Sequence, residues 1–153
     1  MADSHFGADA RDPGEEPLRV LVVDDHDINR RVVQAILLEF GCAVTLAATG
    51  EEAVDDAFLQ PFDLIVMDLH MPGVGGDEAA RRIRRLSASR GAFIARWSTE
   101  APGRLDAGLY DGDLPKPVTF AALWDVVCEA RRRSRNRSED LAGEARRAAG
   151  ERR

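Results

Sequence analysis

Val20-Leu21-Val22-Val23-Asp24-Asp25 decides the fold class. The run from Arg19 to Val23 is too brief for a helix and rich in valine, so it reads as a strand buried on both faces. Two acids close it. The same pattern recurs at Leu64-Ile65-Val66-Met67-Asp68, where an apolar run again ends on an acid. A third exit, Leu114-Pro115-Lys116-Pro117, ends on the one lysine of a chain that carries twenty arginines. Arginine is a planar fork, whereas lysine is a compact ammonium on a flexible stem. A site that needs a point charge against one phosphoryl oxygen, in a space too narrow for guanidinium, keeps the lysine. Three acids and one lysine at strand exits are the parts of a magnesium-assisted phosphoryl-transfer site.

Between these exits, helical and extended patterns alternate. Asp27 is a good N-cap for a helix that carries Ile28, Val32, Ile36, Leu37 and Phe40, and Gly41 stops it. Cys42–Ala47 reads as a second strand. Thr49-Gly50-Glu51-Glu52 is a capping-box pattern that opens a helix through Leu59, ended by Pro61. Phe62–Met67 is the third strand. After the loop Met71–Gly76, residues 77–86 form a helix with Ala79, Ile83 and Leu86 inward and Arg81, Arg82, Arg84 and Arg85 outward. Ala92–Arg96 is a fourth strand and Leu109–Leu114 a short fifth. The helix between them, Thr99–Ala107, is short or irregular because Pro102 and Gly103 interrupt it. Thr119 caps a last helix with Phe120, Leu123 and Val127 on one face.

This order predicts an α/β fold, a doubly wound five-stranded parallel sheet with right-handed crossovers. Folds of this kind place their sites outside the carboxyl ends of the strands. Residues 1–17 are polar, with Gly7, Pro13, Gly14 and Pro17, and read as disordered. The domain spans 18–130. Residues 131–153 form an arginine-rich tail, for which composition favours disorder over an extension of the last helix.

Charge divides the chain. Residues 1–130 hold 12 basic and 23 acidic residues, whereas residues 131–153 hold 9 arginines and 4 acids. An acidic body argues against broad nucleic-acid binding, leaving only the tail as a weak candidate for it. Cys42 and Cys128 make no disulfide framework and read as reduced thiols. No apolar stretch approaches a membrane span, and the N-terminus lacks the apolar centre of a signal peptide, so the expected compartment is the cytoplasm. His5, His26 and His70 do not have metal-ligand spacing.

The stretches Val20–Asp25, Asn29-Arg30, Gly50-Glu51-Glu52-Ala53, Phe62–Pro72 and Lys116-Pro117 together resemble the receiver domain of bacterial response regulators, above all the receivers of hybrid histidine kinases and phosphorelays. The resemblance implies a flavodoxin-like fold in which Asp68 is the phosphoacceptor. It implies Mg²⁺ held by Asp24, Asp25, Asp68 and the backbone carbonyl of His70. Lys116 would pair with phosphoryl oxygens, and the Lys116–Pro117 bond is often cis in that family. The His70 side chain would face the phosphoryl group or lie in an ordinary loop. The implied partners are a histidine kinase or histidine phosphotransferase upstream and a protein target downstream, with no separate substrate turnover.

Two positions depart from that pattern. Receivers carry a switch Ser or Thr at the end of the fourth strand, and here Ser98 fits with a one-residue slip, while Trp97 falls there without one and Thr99 is a minor candidate. Trp97 itself reads as packed or partner-facing. The switch aromatic, three residues before the lysine, is replaced by Asp113, and Tyr110 lies six residues before it. The leading expectation is therefore a stand-alone receiver acting through protein contact. Against it stand a phosphorylation-independent adaptor of the same fold, a phosphatase of the haloacid-dehalogenase type, and nucleic-acid binding through the tail. The phosphatase class wants a second acid where His70 stands.

Overall fold

The computed structural model describes residues 14–101 and 108–151. Five strands form one parallel sheet in the order β2-β1-β3-β4-β5. They are β1 (Arg19–Val23), β2 (Ala43–Ala47), β3 (Leu64–Asp68), β4 (Phe93–Ser98) and β5 (Gly112–Pro115). The helices are α1 (Asp27–Glu39), α2 (Gly50–Leu59), α3 (Gly76–Leu86) and α4 (Phe120–Gly150). From β1 the chain winds outward to β2, then crosses back to β3 on the other side. The reversal leaves a crevice at the carboxyl ends of β1 and β3.

The central strands are apolar throughout because alternate residues serve two cores. Val20, Val22, Leu64, Val66, Ala95 and Trp97 pack with α1 and α4. Leu21, Val23, Ile65, Met67 and Ile94 pack with Ala53 and Ala57 of α2 and Ala79 and Ile83 of α3.

Local chemistry sets most element ends. Gly41, at φ 74, lets α1 close in a Schellman turn: its N–H donates to Leu38 O at 2.9 Å and Cys42 N–H to Leu37 O at 3.0 Å. Thr49 Oγ1 accepts from Glu52 N at 3.1 Å, and Glu52 reaches back to Ala48 N at 2.9 Å. Thr119 caps α4 through Ala122 N.

Several expectations are corrected. Asp27 is the first helical residue of α1, not its cap. The N-cap is His26, without a side-chain bond, and Asp27 instead pairs with Arg30 and Arg31 one turn on. Strands β3 and β4 run on through Asp68 and Ser98, because parallel pairing continues to Asp68↔Trp97. β5 begins only at Gly112, since Leu109 and Tyr110 turn into the core beside α3. Arg84 does not face solvent with Arg81, Arg82 and Arg85. Its guanidinium donates to Leu109 O, Arg90 O, Ala92 O and Asp111 Oδ2. The interrupted helix of residues 99–107 falls mostly outside the described residues, and Ser98–Ala101 is not helical. Residues 1–13 and the side chain of Leu86 also lie outside them.

The arginine-rich stretch is helical through Gly150 rather than disordered. Acids and a backbone carbonyl on the underside of the sheet anchor its first two turns. Arg133 meets Asp111 at 2.9 Å, and Ser134 Oγ donates to Asp63 Oδ1 at 2.9 Å. Arg137 lies 3.6 Å from Asp63, and Arg131 donates to Phe40 O at 2.8 Å. Composition alone carries no trace of these partners.

Candidate functional site

The crevice gathers the charged residues of three strand exits. Asp24, wholly buried, follows β1; Asp68, nearly so, ends β3; Lys116 follows β5. Lys116 Nζ donates to Asp24 Oδ2 and to Asp68 Oδ1, each at 2.9 Å. The backbone fixes this meeting from both sides: Asp24 N–H donates to Ala47 O, Leu69 N–H to Trp97 O, and Lys116 N–H to Ser98 O. The Lys116–Pro117 bond is cis.

Asp24 is saturated. Its Oδ1 accepts from His26 N at 2.8 Å, its Oδ2 from Asn29 Nδ2 at 3.2 Å as well as from Lys116, and its carbonyl from Arg30 Nη1 at 2.7 Å. Asp68 is engaged on one oxygen only. Oδ1 takes Lys116 and, at 3.4 Å, His70 N–H, while Oδ2 has no hydrogen bond among the described residues.

Burial and charge set opposite directions for the two acids. Burial works to raise the Asp24 pKa, but Lys116 and the His26 amide outweigh it and hold the carboxyl below its ordinary value. For Asp68 burial, with repulsion from Asp24, outweighs Lys116 and lifts it above that value. Burial works against the charge of Lys116, and hydrogen bonds to the two carboxylates reverse this and raise its pKa. Two carboxylates thus share one ammonium, a deficit that suits a further cation.

Asp25 bears on what that cation is. Its Oδ1 is buried without a hydrogen-bond partner among the described residues, with His26 Nδ1 3.0 Å away. An orphaned carboxylate oxygen beside two more carboxylates is an oxygen donor set, which fits a hard divalent ion. The acids and the imidazole of Asp24, Asp25 and His26 offer ligand atoms within 4.8 Å of one another, a grouping that histidine spacing in the sequence does not show.

Around this centre, Ser98 is buried at the end of β4, and its Oγ accepts from Glu100 N at 2.9 Å. It makes no hydrogen bond to Asp68 among the described residues. Thr99 is exposed. The His70 side chain is exposed and meets Glu100 Oε1 at 2.8 Å. Asp113, where receivers keep their switch aromatic, instead forms a two-toothed pair with Arg96, at 2.7 and 3.2 Å. Tyr110 is buried with its hydroxyl donating to Asp77 Oδ1 at 2.6 Å, and burial pushes its pKa far up. Asn29 and Arg30 have no assigned role in the sequence reading, and Trp97, read as packed or partner-facing, is packed. The first two sit one turn into α1, at a spacing that returns them to Asp24.

The chain matches the description "Response regulator receiver domain" over residues 20–127. The chain belongs to the response regulator receiver family. The receiver is 37% identical over 110 residues to the autoinducer 1 sensor kinase/phosphatase LuxN of Vibrio campbellii, covering 71% of this chain and 13% of that protein. It is 36% identical over 126 residues to the virulence sensor protein BvgS of Bordetella bronchiseptica, covering 76% and 10%. The receiver thus spans a small part of the length of these relatives. Among solved structures it resembles the chemotaxis protein CheY4 of Vibrio cholerae, with a TM-score of 0.68, 30% identity, and 75% and 99% of the two chains covered. The receiver domain of the sensor histidine kinase PA1611 of Pseudomonas aeruginosa follows at TM-score 0.65 and 30% identity, covering 72% and 94%; it was solved with magnesium in its active-site cleft. This chain is therefore a receiver domain of two-component signalling. No helix among the described residues is long and apolar enough to cross a membrane.

Proposed function

We propose that Asp68 accepts a phosphoryl group from the histidine of a kinase or phosphotransferase, in a Mg²⁺-dependent transfer whose output is protein–protein contact. The observation that carries this reading is the ammonium of Lys116 set 2.9 Å from both Asp24 and Asp68. Asp68 Oδ2, free of hydrogen bonds among the described residues, is the attacking atom. The new Oδ2–P bond forms as the donor's bond to phosphorus breaks and its electron pair leaves with the donor. Lys116 stays on the equatorial oxygens as charge spreads over them. Asp24 holds the ammonium in place and, with Asp25, Asp68 and the His70 carbonyl, would hold Mg²⁺. When bound, that ion offsets the repulsion between a carboxylate and an anionic phosphoryl group.

Incubation with acetyl phosphate and Mg²⁺ is expected to add one phosphoryl mass, absent in Asp68→Asn. One observation favours a second reading, a phosphorylation-independent adaptor. Asp113, locked to Arg96, stands where the switch aromatic would swing, and Ser98 is bonded to Glu100. No mass gain from acetyl phosphate or from a cognate kinase would select the adaptor. Salt-sensitive DNA retention lost on deleting residues 131–153 would revive the nucleic-acid reading of the tail.

A further inference from the structure

Trp97 stands closer to the chemistry than a core residue needs to. Its ring centroid lies 4.6 Å from Lys116 Nζ. It is 2% exposed and packs with Leu114 and Leu123 in the core beneath α4. Its partner across the sheet is Asp68 itself, and its carbonyl anchors Leu69 N–H just beyond the acceptor. Its indole Nε1, moreover, is buried without a hydrogen-bond partner among the described residues. A leucine or phenylalanine would fill the same space without an orphaned donor. What the indole adds is the best aromatic face for an ammonium.

That face answers a problem built into the site. Lys116 is a point charge on a flexible stem, shared between two carboxylates at equal distance. Asp24 is the more buried and better supported of the two, so without a third contact the ammonium is free to drift toward it. Drift would cost alignment with a phosphoryl group on Asp68, where small displacements are expensive. We infer that Trp97 is a positioning residue for Lys116: its indole face holds the ammonium over the Asp68 carboxylate and sets the rate at which Asp68 takes a phosphoryl group. The inference rests on the roles of Asp68 and Lys116 proposed above.

Composition makes the test direct. The chain has one lysine and two tryptophans, so isotope-labelled lysine gives a single ε-methylene signal in the full chain. In the native protein that signal is expected to be displaced upfield by the indole ring current. It should be displaced less in Trp97→Phe and sit at the ordinary lysine position in Trp97→Leu, with Trp124→Phe leaving it unmoved. With acetyl phosphate at saturating Mg²⁺, Trp97→Leu is expected to slow phosphoryl uptake about 5-fold, with Trp97→Phe recovering most of the loss. Mg²⁺ affinity should not change, because the Trp97 side chain makes no hydrogen bond to the oxygen ligands among the described residues. Leu123→Ala, which loosens the same core away from the ammonium, serves as the packing control and should leave the rate in place. An undisplaced lysine signal in the native protein, or equal uptake rates in native and Trp97→Leu chains, overturns the inference. So does a slowing in Leu123→Ala as large as that in Trp97→Leu. A displaced signal in a protein that takes up no phosphoryl group would instead bring down the Asp68 reading, and the positioning role with it.

Discussion

Lys116 Nζ lies 2.9 Å from Asp68 Oδ1, although the two residues stand 48 positions apart in the chain. Nothing local joins them. The lysine follows the edge strand β5 and the aspartate ends the central strand β3, with β4 between them. The ammonium therefore reaches back over the carboxyl end of β4, past Trp97, to meet the acid.

Removing that ammonium should cost both activity and stability. Lys116→Met is expected to slow phosphoryl uptake about 100-fold, the usual loss when one transition-state donor is deleted. It also strands the wholly buried Asp24, a loss of about 3 kcal/mol in urea unfolding. Lys116→Arg should restore little of the rate, since a planar fork does not set one point charge against both carboxylates as the ammonium does.

Asp68→Asn should abolish uptake yet stabilise the fold. Burial and the charge of Asp24 raise the Asp68 pKa despite Lys116. A carboxyl whose folded pKa lies above its unfolded one loses stability as pH rises between the two values, and the deficit persists at higher pH. In metal-free buffer at neutral pH the asparagine variant should therefore melt a few degrees higher, and the gain should vanish below the ordinary carboxylate range. Uptake by the native chain should also fall in acid, because a protonated carboxyl is no nucleophile.

Arg84 and Asp111 tie α3 to the floor of β4 and β5, both side chains 17% exposed and 2.6 Å apart. Arg84→Ala is expected to cost about 3 kcal/mol by urea unfolding, since several carbonyls lose their donor with it. Burial would raise the Asp111 pKa, but Arg133, the Ile94 amide and Arg84 outweigh it and hold it below the ordinary value. The stability from this lowered pKa is present above the unfolded value and lost as pH falls through the folded one. Acid unfolding of Arg84→Ala should accordingly show a shallower limb below about pH 4.

Gly76 sets the height of the loop after the acceptor. A Cβ there would stand 2.2 Å from Asp68 O and 3.0 Å from Leu69 Cα. Gly76→Ala should cost about 2 kcal/mol through backbone displacement. Because the displaced loop carries the His70 carbonyl, Mg²⁺ affinity followed by tryptophan fluorescence should weaken as well.

Ending the chain at Ala130 should lower the melting temperature by several degrees. Residues 131–137 hold Phe40, Asp63 and Asp111 from below, so a receiver cut three residues beyond the family match loses part of its own floor. Thermal melts of the full and shortened chains check this.

Signals that act within a few residues were legible in advance. The apolar runs, the Gly41 stop, the Thr49 and Thr119 caps and the acids at strand exits all depend on neighbours no more than about one helical turn away. The parallel sheet followed from their alternation, and the convergence of Asp24, Asp68 and Lys116 followed from the sheet. Arg84 was misread because its charge matched a solvated helix face, and its acceptors lie in the following loop and beyond it in Leu109 and Asp111. The arginines after Ala130 were misread because composition records their repulsion but not the acids waiting beneath the sheet.

By itself, then, the chain determined which stretches become strands, and that three acids and one lysine stand at or just beyond their exits. Tertiary structure alone decided that an unpaired indole would flank the ammonium, that Asp113 would lock to Arg96, and that the basic helix would serve as a floor. Strand and cap preferences are written in short-range sterics and hydrogen bonding. These latter pairings arise between segments brought together only when the sheet order β2-β1-β3-β4-β5 is complete.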